Sequence, residues 1–334
     1  MEDGVFPKAT HAQSLLMRCV SIDLEIDPNS NRIQSFAGVR HGVTASCTYW
    51  GGNLRIALAE LDQYSDPADF TLGHNFITFD ARHLAANQGD LRLLNKPVID
   101  TLWLNPLAFP RNPYHHLVKH YKGGELQSGH LNDPELDAKL VLDVLNNQVD
   151  ALSTIEHNTP ETTCAYHFLT TLGSNCGGFD AVFTHIRGAG RPSPAEGQEA
   201  LRTLLRENAC THQIDAVIRD ATADGWPLAY ALAWISVAGG NSVMPPWVRH
   251  QFPEASHLVR RMRDTACDDP ACDWCRQQND PKGLLRHWFT FDSFRPEPKG
   301  PDGKPLQETI VANAMAKQPV LGILPTGTGK SVCY

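Results

Sequence analysis

Cys19-Val20-Ser21-Ile22-Asp23-Leu24-Glu25 is a largely apolar run that ends in two carboxylates with D-x-E spacing. Cys19 to Ile22 reads as a strand. On a strand, residues i and i+2 share one face, so Asp23 and Glu25 project side by side while Leu24 turns into the core. Two like charges held so close are costly unless a cation lies between them. Oxygen ligands suit a hard divalent ion, Mg²⁺ or Mn²⁺. The stretch also fits a strand end running into a solvated turn, because Asp27-Pro28-Asn29-Ser30 follows.

Downstream, Arg32–Arg40 and Val43–Trp50 read as second and third strands, with Asp27–Asn31 as the hairpin turn. Leu54–Leu61 has helical spacing behind Asn53 as N-cap. In Phe70–Leu84, an apolar strand passes through Gly73-His74-Asn75 into a helix carrying Asp80. Pro97–Leu102 reads as a short strand. Asn132–Leu145 reads as a helix capped by Asn132 or Asp133, with Pro134 in its first turn and Leu136, Leu140 and Val144 as the buried stripe.

D-x-E on the first strand, H-N-x-x-x-x-D at a helix start and D-A in a late helix resemble the pattern of the DnaQ-like, or DEDD, 3′–5′ exonucleases, over about residues 15 to 150. The resemblance implies a ribonuclease H-like mixed α/β sheet with flanking helices. It also implies that Asp23, Glu25, Asp80 and Asp137 bind two Mg²⁺ or Mn²⁺ ions, the apparatus of phosphodiester hydrolysis. In the family a His five residues before the last Asp, or a Tyr four before it, serves as base. Here Asn132 and Asp133 hold those places. His130 is the nearest substitute, with His115, His116 and His120 as further candidates or ordinary surface histidines. Alternatively no side chain serves as base, or the site is degenerate and the domain binds DNA without cutting it. Between Asp100 and Lys122, aromatics stand beside Arg111, Lys119 and Lys122, which suits either a single-strand path or a proline-rich packed loop.

Residues 156–265 read as a helical connector, with helices at Ala200–Asn208, Gln213–Thr222 and Leu228–Val237 and Trp226, Trp234 and Trp247 as core or interface residues. Cys267, Cys272 and Cys275, in segment 266–287, fit either one metal, zinc first and an iron–sulfur cluster second, as a structural staple between the connector and the next domain, or three unrelated thiols. The fourth ligand is open among His287, His257, Cys210 and His212.

From 288 onward the chain resembles the start of a RecQ-type superfamily 2 helicase: Trp288-Phe289-Thr290-Phe291 through Arg295, then Gln307, then Pro325-Thr326-Gly327-Thr328-Gly329-Lys330-Ser331. Thr290 stands where the family has glycine. The resemblance implies a RecA-like motor in which Gln307 reads adenine. The phosphate loop itself reads as a strand at Val320–Leu324, glycines that let backbone N–H groups approach phosphate, Lys330 at the β/γ-phosphates of ATP and Ser331 at Mg²⁺. No later motor motif follows, so the chain reads as a fragment without ATP turnover. An exonuclease (15–155) before a motor (288–334) resembles the order in Werner-type proteins.

The 334 residues carry 20% charged and 42% hydrophobic side chains and a net charge of −8, which argues against a generally basic nucleic-acid-coating protein. No run approaches the roughly 20 apolar residues of a membrane helix, and no signal segment opens the chain, so the expected location is cytoplasmic with DNA and ATP as partners.

Overall fold

The computed structural model describes residues 11–112, 121–122, 125–126, 133–174, 176–206, 208–220, 225–237, 244–269, 271–278, 280–315 and 318–333. The chain forms two compact units, one made of 1–204 and 218–258, the other of 205–217 and 259–334. Among the described residues no helix is long and apolar enough to cross a membrane.

Unit 1 is α/β. It opens with α1 (His11–Leu16), β1 (Cys19–Ile26), β2 (Ile33–Arg40), β3 (Cys47–Tyr49), α2 (Leu54–Ser65), β4 (Phe70–Gly73), α3 (Asp80–Asn87), β5 (Val98–Asp100) and α4 (Thr101–Ala108). A short hairpin, β6 (Tyr121–Lys122) and β7 (Glu125–Leu126), precedes α5 (Pro134–Asn158). The five-stranded sheet has the order β3-β2-β1-β4-β5. β1 pairs antiparallel with β2 and parallel with β4, and β4 pairs parallel with β5. The central strand therefore carries both senses of pairing, and its two faces divide the labour. Val20, Ile22 and Leu24 bury into a core with Leu58 and Leu61 of α2 and Leu84 of α3. The opposite face of β1 carries Asp23 and Glu25, and α5 packs across β1, β2 and β4.

Local chemistry explains most of these elements. Asn53 caps α2 by accepting from the amides of Arg55 and Ile56. Asp133 caps α5 in the same way, with Pro134 in the first turn. Three expectations need correction. β3 is shorter than Val43–Trp50, because only Cys47–Tyr49 finds partners on β2. Pro97–Leu102 is strand only to Asp100, whose side chain accepts from the Leu102 amide and starts α4. The buried stripe of α5 is Ala138, Val141, Leu142, Leu145, Val149 and Leu152, while Leu136 is 38% exposed. The helix is longer than its first turns suggested, and the apolar residues beyond Leu145 set its rotation. That rotation turns Asp137, four residues before Val141, inward.

α5 runs through residues 155 and 156, between which the sequence reading set a domain boundary. α6 (Pro160–Thr170) and α7 (Gly177–Arg187) pack against it. α8 (Pro194–Leu205), α9 (Thr211–Asp220) and α10 (Trp226–Ser236) are the three expected later helices, each beginning two to six residues earlier than expected. Trp226 lies in an aromatic cluster, with ring centroids 4.9 Å from Trp103 and 4.7 Å from Phe179. Its neighbour Tyr230 donates to the Trp103 carbonyl and meets Trp247 edge-on. α11 (Pro246–Gln251) and α12 (Pro253–Val259) follow.

Unit 2 contains α13 (Asp273–Gln278), α14 (Pro281–Phe289) and α15 (Leu306–Met315). Val320–Leu324 is not a strand, a correction to the expected motor topology. Among the described residues of unit 2 there is no strand to supply a ladder, and Leu321 and Ile323 are 89% and 82% exposed.

Candidate metal centres and phosphate loop

Asp23 and Glu25 stand two apart on β1, and Asp137 reaches them from the first turn of α5. One carboxylate oxygen from each lies within 4.8 Å of the others. The expected fourth carboxylate, Asp80, is buried at the start of α3 and accepts from the Leu24 amide at 3.2 Å. Leu24 sits between Asp23 and Glu25, so Asp80 is tied to the same stretch of strand without belonging to the tight trio. Four oxygen donors, three half-buried or buried around one point, form a donor set that fits a hard divalent cation.

The approach of Asp80 depends on the loop before it. Gly73 ends β4, where an added Cβ would meet the Phe76 Cβ at 2.6 Å. Asn75 then takes a left-handed backbone with φ 68°, a conformation asparagine tolerates better than most residues. Asp100, not among the expected site residues, holds this loop: its carboxylate accepts from the amides of Asn75 at 2.9 Å and Ile77 at 3.0 Å. His74 Nδ1 lies 2.9 Å from the Thr101 hydroxyl, fixing the other side of the turn. An aspartate between a short apolar strand and Thr101 was the available signal, readable as an N-cap.

Burial dominates the electrostatics here. It pushes the Asp80 carboxyl well above the usual range, and the nearby charges of Asp23 and Asp100 push the same way, against the Leu24 hydrogen bond. Burial also raises Asp100, to about 6, against the amides that bond its ionised form. A buried carboxyl beside other carboxylates is a group that a bound cation would relieve of its proton.

His130, His115, His116, His120, Asn132 and Lys119 lie outside the described residues. Asp133, four residues before Asp137, is engaged as the cap of α5, accepting from the amides of Glu135 and Leu136. Arg111 is exposed beyond α4.

In unit 2, Cys267, Cys272 and Cys275 come together with Cys210, whose sulfur completes a group of four. Of the candidates for the fourth place, the structure selects Cys210, with His212 just outside, its Nδ1 3.7 Å from the Cys267 sulfur.

The expected phosphate loop turns on Gly327 and Gly329, at φ 83° and 76°. Arg295 donates to the Gly327 carbonyl. Gln307 is buried and fully occupied: its Oε1 accepts from the Arg295 amide, and its Nε2 donates to the carbonyls of Thr328 and Gly329. The residue expected at adenine thus braces the loop that carries Thr326, Lys330 and Ser331. Lys330–Cys333 continues as a short 3₁₀ turn. No protein-family model, no curated protein and no solved structure matches this chain.

Proposed function

We propose that unit 1 is a metal-dependent 3′–5′ exonuclease acting on DNA ends, and that the phosphate loop of unit 2 belongs to a RecQ-like, ATP-dependent DNA helicase. The observation that carries the nuclease reading is the convergence of Asp23, Glu25 and Asp137 within 4.8 Å, with Asp80 bonded to the strand between the first two. The strand order, with an antiparallel β1–β2–β3 and a parallel β1–β4–β5, supports a ribonuclease H-like sheet.

Asp23, Glu25, Asp80 and Asp137 would hold Mg²⁺ or Mn²⁺, which supplies activation of a water and stabilisation of the leaving oxygen. The chain's own contribution is positioning. β1 and α5 present their carboxylates from separate rigid elements, and the Leu24 amide fixes one oxygen of Asp80. In unit 2, the left-handed glycines and Lys330 suit the phosphates of ATP.

A second reading is favoured by one observation: Asp133 is engaged in capping α5, so the position of the family's tyrosine offers no base. On that reading unit 1 is a non-cleaving module that holds DNA for the helicase. Incubating the whole chain with Mn²⁺ and 5′-labelled single-stranded DNA decides between them. The nuclease reading expects stepwise shortening from the 3′ end, abolished in Asp23→Ala and in Asp137→Ala. Binding without shortening selects the second reading; neither binding nor shortening overturns both.

A further inference from the structure

The four sulfurs of Cys210, Cys267, Cys272 and Cys275 lie within 4.8 Å of one another. The Cys210–Cys272 separation is 3.8 Å and the Cys267–Cys275 separation 3.6 Å. A tetrahedral zinc site has metal–sulfur bonds of about 2.3 Å, and that geometry sets sulfur–sulfur edges of about 3.8 Å. A four-iron cluster takes each thiolate on a different iron, and a two-iron cluster takes them as two separated pairs, so both spread the sulfurs further apart. The spacing therefore separates two metals that the sequence alone leaves as alternatives.

We propose that these four cysteines bind one zinc ion as a structural staple of unit 2. Four thiolates close the coordination shell and leave no open position for substrate, which is the form of a structural and not a catalytic site. The outer contacts fit as well. Cys275 accepts from the Cys267 amide at 3.3 Å. His212 stands between the Cys267 sulfur and the Asp269 carboxylate, 3.7 Å from the one and 3.6 Å from the other. A histidine held by a carboxylate and aimed at a ligating sulfur steadies that ligand and balances its charge.

The staple has a clear mechanical task. The chain enters unit 2 twice, as 205–217 and again from 259 onward. Cys210 lies on the first passage and the other three cysteines on the second, Cys272 standing 62 positions after Cys210. Among the described residues, Trp274 packs against the buried sulfurs. Closing so long a loop has an entropic cost, and metal binding to a set of ligands that exists only when folded offsets it. This inference stands independently of the nuclease reading.

The test uses the whole chain, purified in reducing buffer without added metal. Elemental analysis should give one zinc per chain with neither iron nor acid-labile sulfide. Titration with a mercurial should release that zinc as four thiols react. Replacement by Co²⁺ should give the visible bands and thiolate charge transfer of a tetrahedral four-sulfur site. Cys210→Ser should weaken zinc binding by at least about tenfold in chelator competition, whereas Cys47→Ser, on β3 and not one of the four clustered cysteines, should retain wild-type affinity. Iron with labile sulfide, mercurial titration that releases no zinc, or wild-type affinity in Cys210→Ser would each overturn the proposal. If Cys210→Ser fails to fold, the mercurial titration of the wild-type chain still decides.

Discussion

The backbone amide of Leu24 donates to Asp80 Oδ1 at 3.2 Å, joining the middle of β1 to the first residue of α3. The bond separates two roles of Asp80 that a single deletion would confuse. Asp80→Asn keeps an acceptor for the amide and removes the charge, so it should fold as wild type and lose Mn²⁺ affinity by calorimetry. Asp80→Ala should lose the same affinity and also leave a buried amide unpaired, at a cost of about 1–3 kcal/mol in chemical denaturation. Equal Mn²⁺ affinity in wild type and Asp80→Asn would show that Asp80 only braces the strand.

Asp100 makes the metal-free protein sensitive to pH in a definite direction. Its pKa rises from the ordinary 3.8 to about 6 on folding, through burial. Between those values the folded chain holds a proton that the unfolded chain has released. Stability is therefore fully present below the lower value and falls as pH rises through the upper one, by up to about 3 kcal/mol. Asp80, also raised, acts in the same direction. Urea denaturation in chelator from pH 4 to 7 should show the decline, and Asp100→Asn should make it shallower, leaving the part due to Asp80. An unchanged slope in that variant would remove Asp100 as the cause.

What the sequence made legible followed from short-range rules. The D-x-E alternation on β1, the caps Asn53 and Asp133 and the helix position of Asp80 each depend on residues within a few places of one another. What it hid depended on partners far away in the chain. Asp100 matters because Asn75 and Ile77 come to it, some 25 residues apart in sequence. Cys210 could be ranked among the fourth ligands only after the fold carried it to Cys272. Val320–Leu324 has strand composition, but a strand needs a neighbour, and among the described residues of unit 2 no strand pairs with it. The early turns of α5 suggested one buried stripe; Val149 and Leu152, two turns further on, selected another.

That rotation of α5 can be measured. Val141 and Leu145 are fully buried against the sheet side of the helix, while Leu136 is 38% exposed. Leu145→Ala should cost about 2–5 kcal/mol, the range for opening a cavity in a packed core. Leu136→Ala should stay within about 1 kcal/mol of wild type. Comparable losses at both positions would mean that the helix presents the stripe read from its first turns.

Thr290 offers a direct test of strain at a helix end. It follows α14 and takes a left-handed backbone, φ 60° and ψ 21°, while its amide closes the helix by donating to the Arg286 carbonyl. A glycine is the usual residue at such a helix end, because without a Cβ it meets no steric penalty there. Threonine is β-branched and crowds its own backbone in this region. Its hydroxyl bonds only the neighbouring Phe289 carbonyl, and the side chain is exposed, so little is lost by removing it. Thr290→Gly relieves the strain but also gives the unfolded chain more freedom, and the first effect is the larger, about 1–2 kcal/mol against about 1 kcal/mol. The variant should therefore unfold later in a thermal scan of unit 2, by a few tenths to 1 kcal/mol in free energy. Thr290→Ala separates the effects, since it keeps a Cβ in the left-handed region and should gain less than glycine. A destabilised Thr290→Gly would show that threonine is preferred at this turn and that the left-handed cap is not strained.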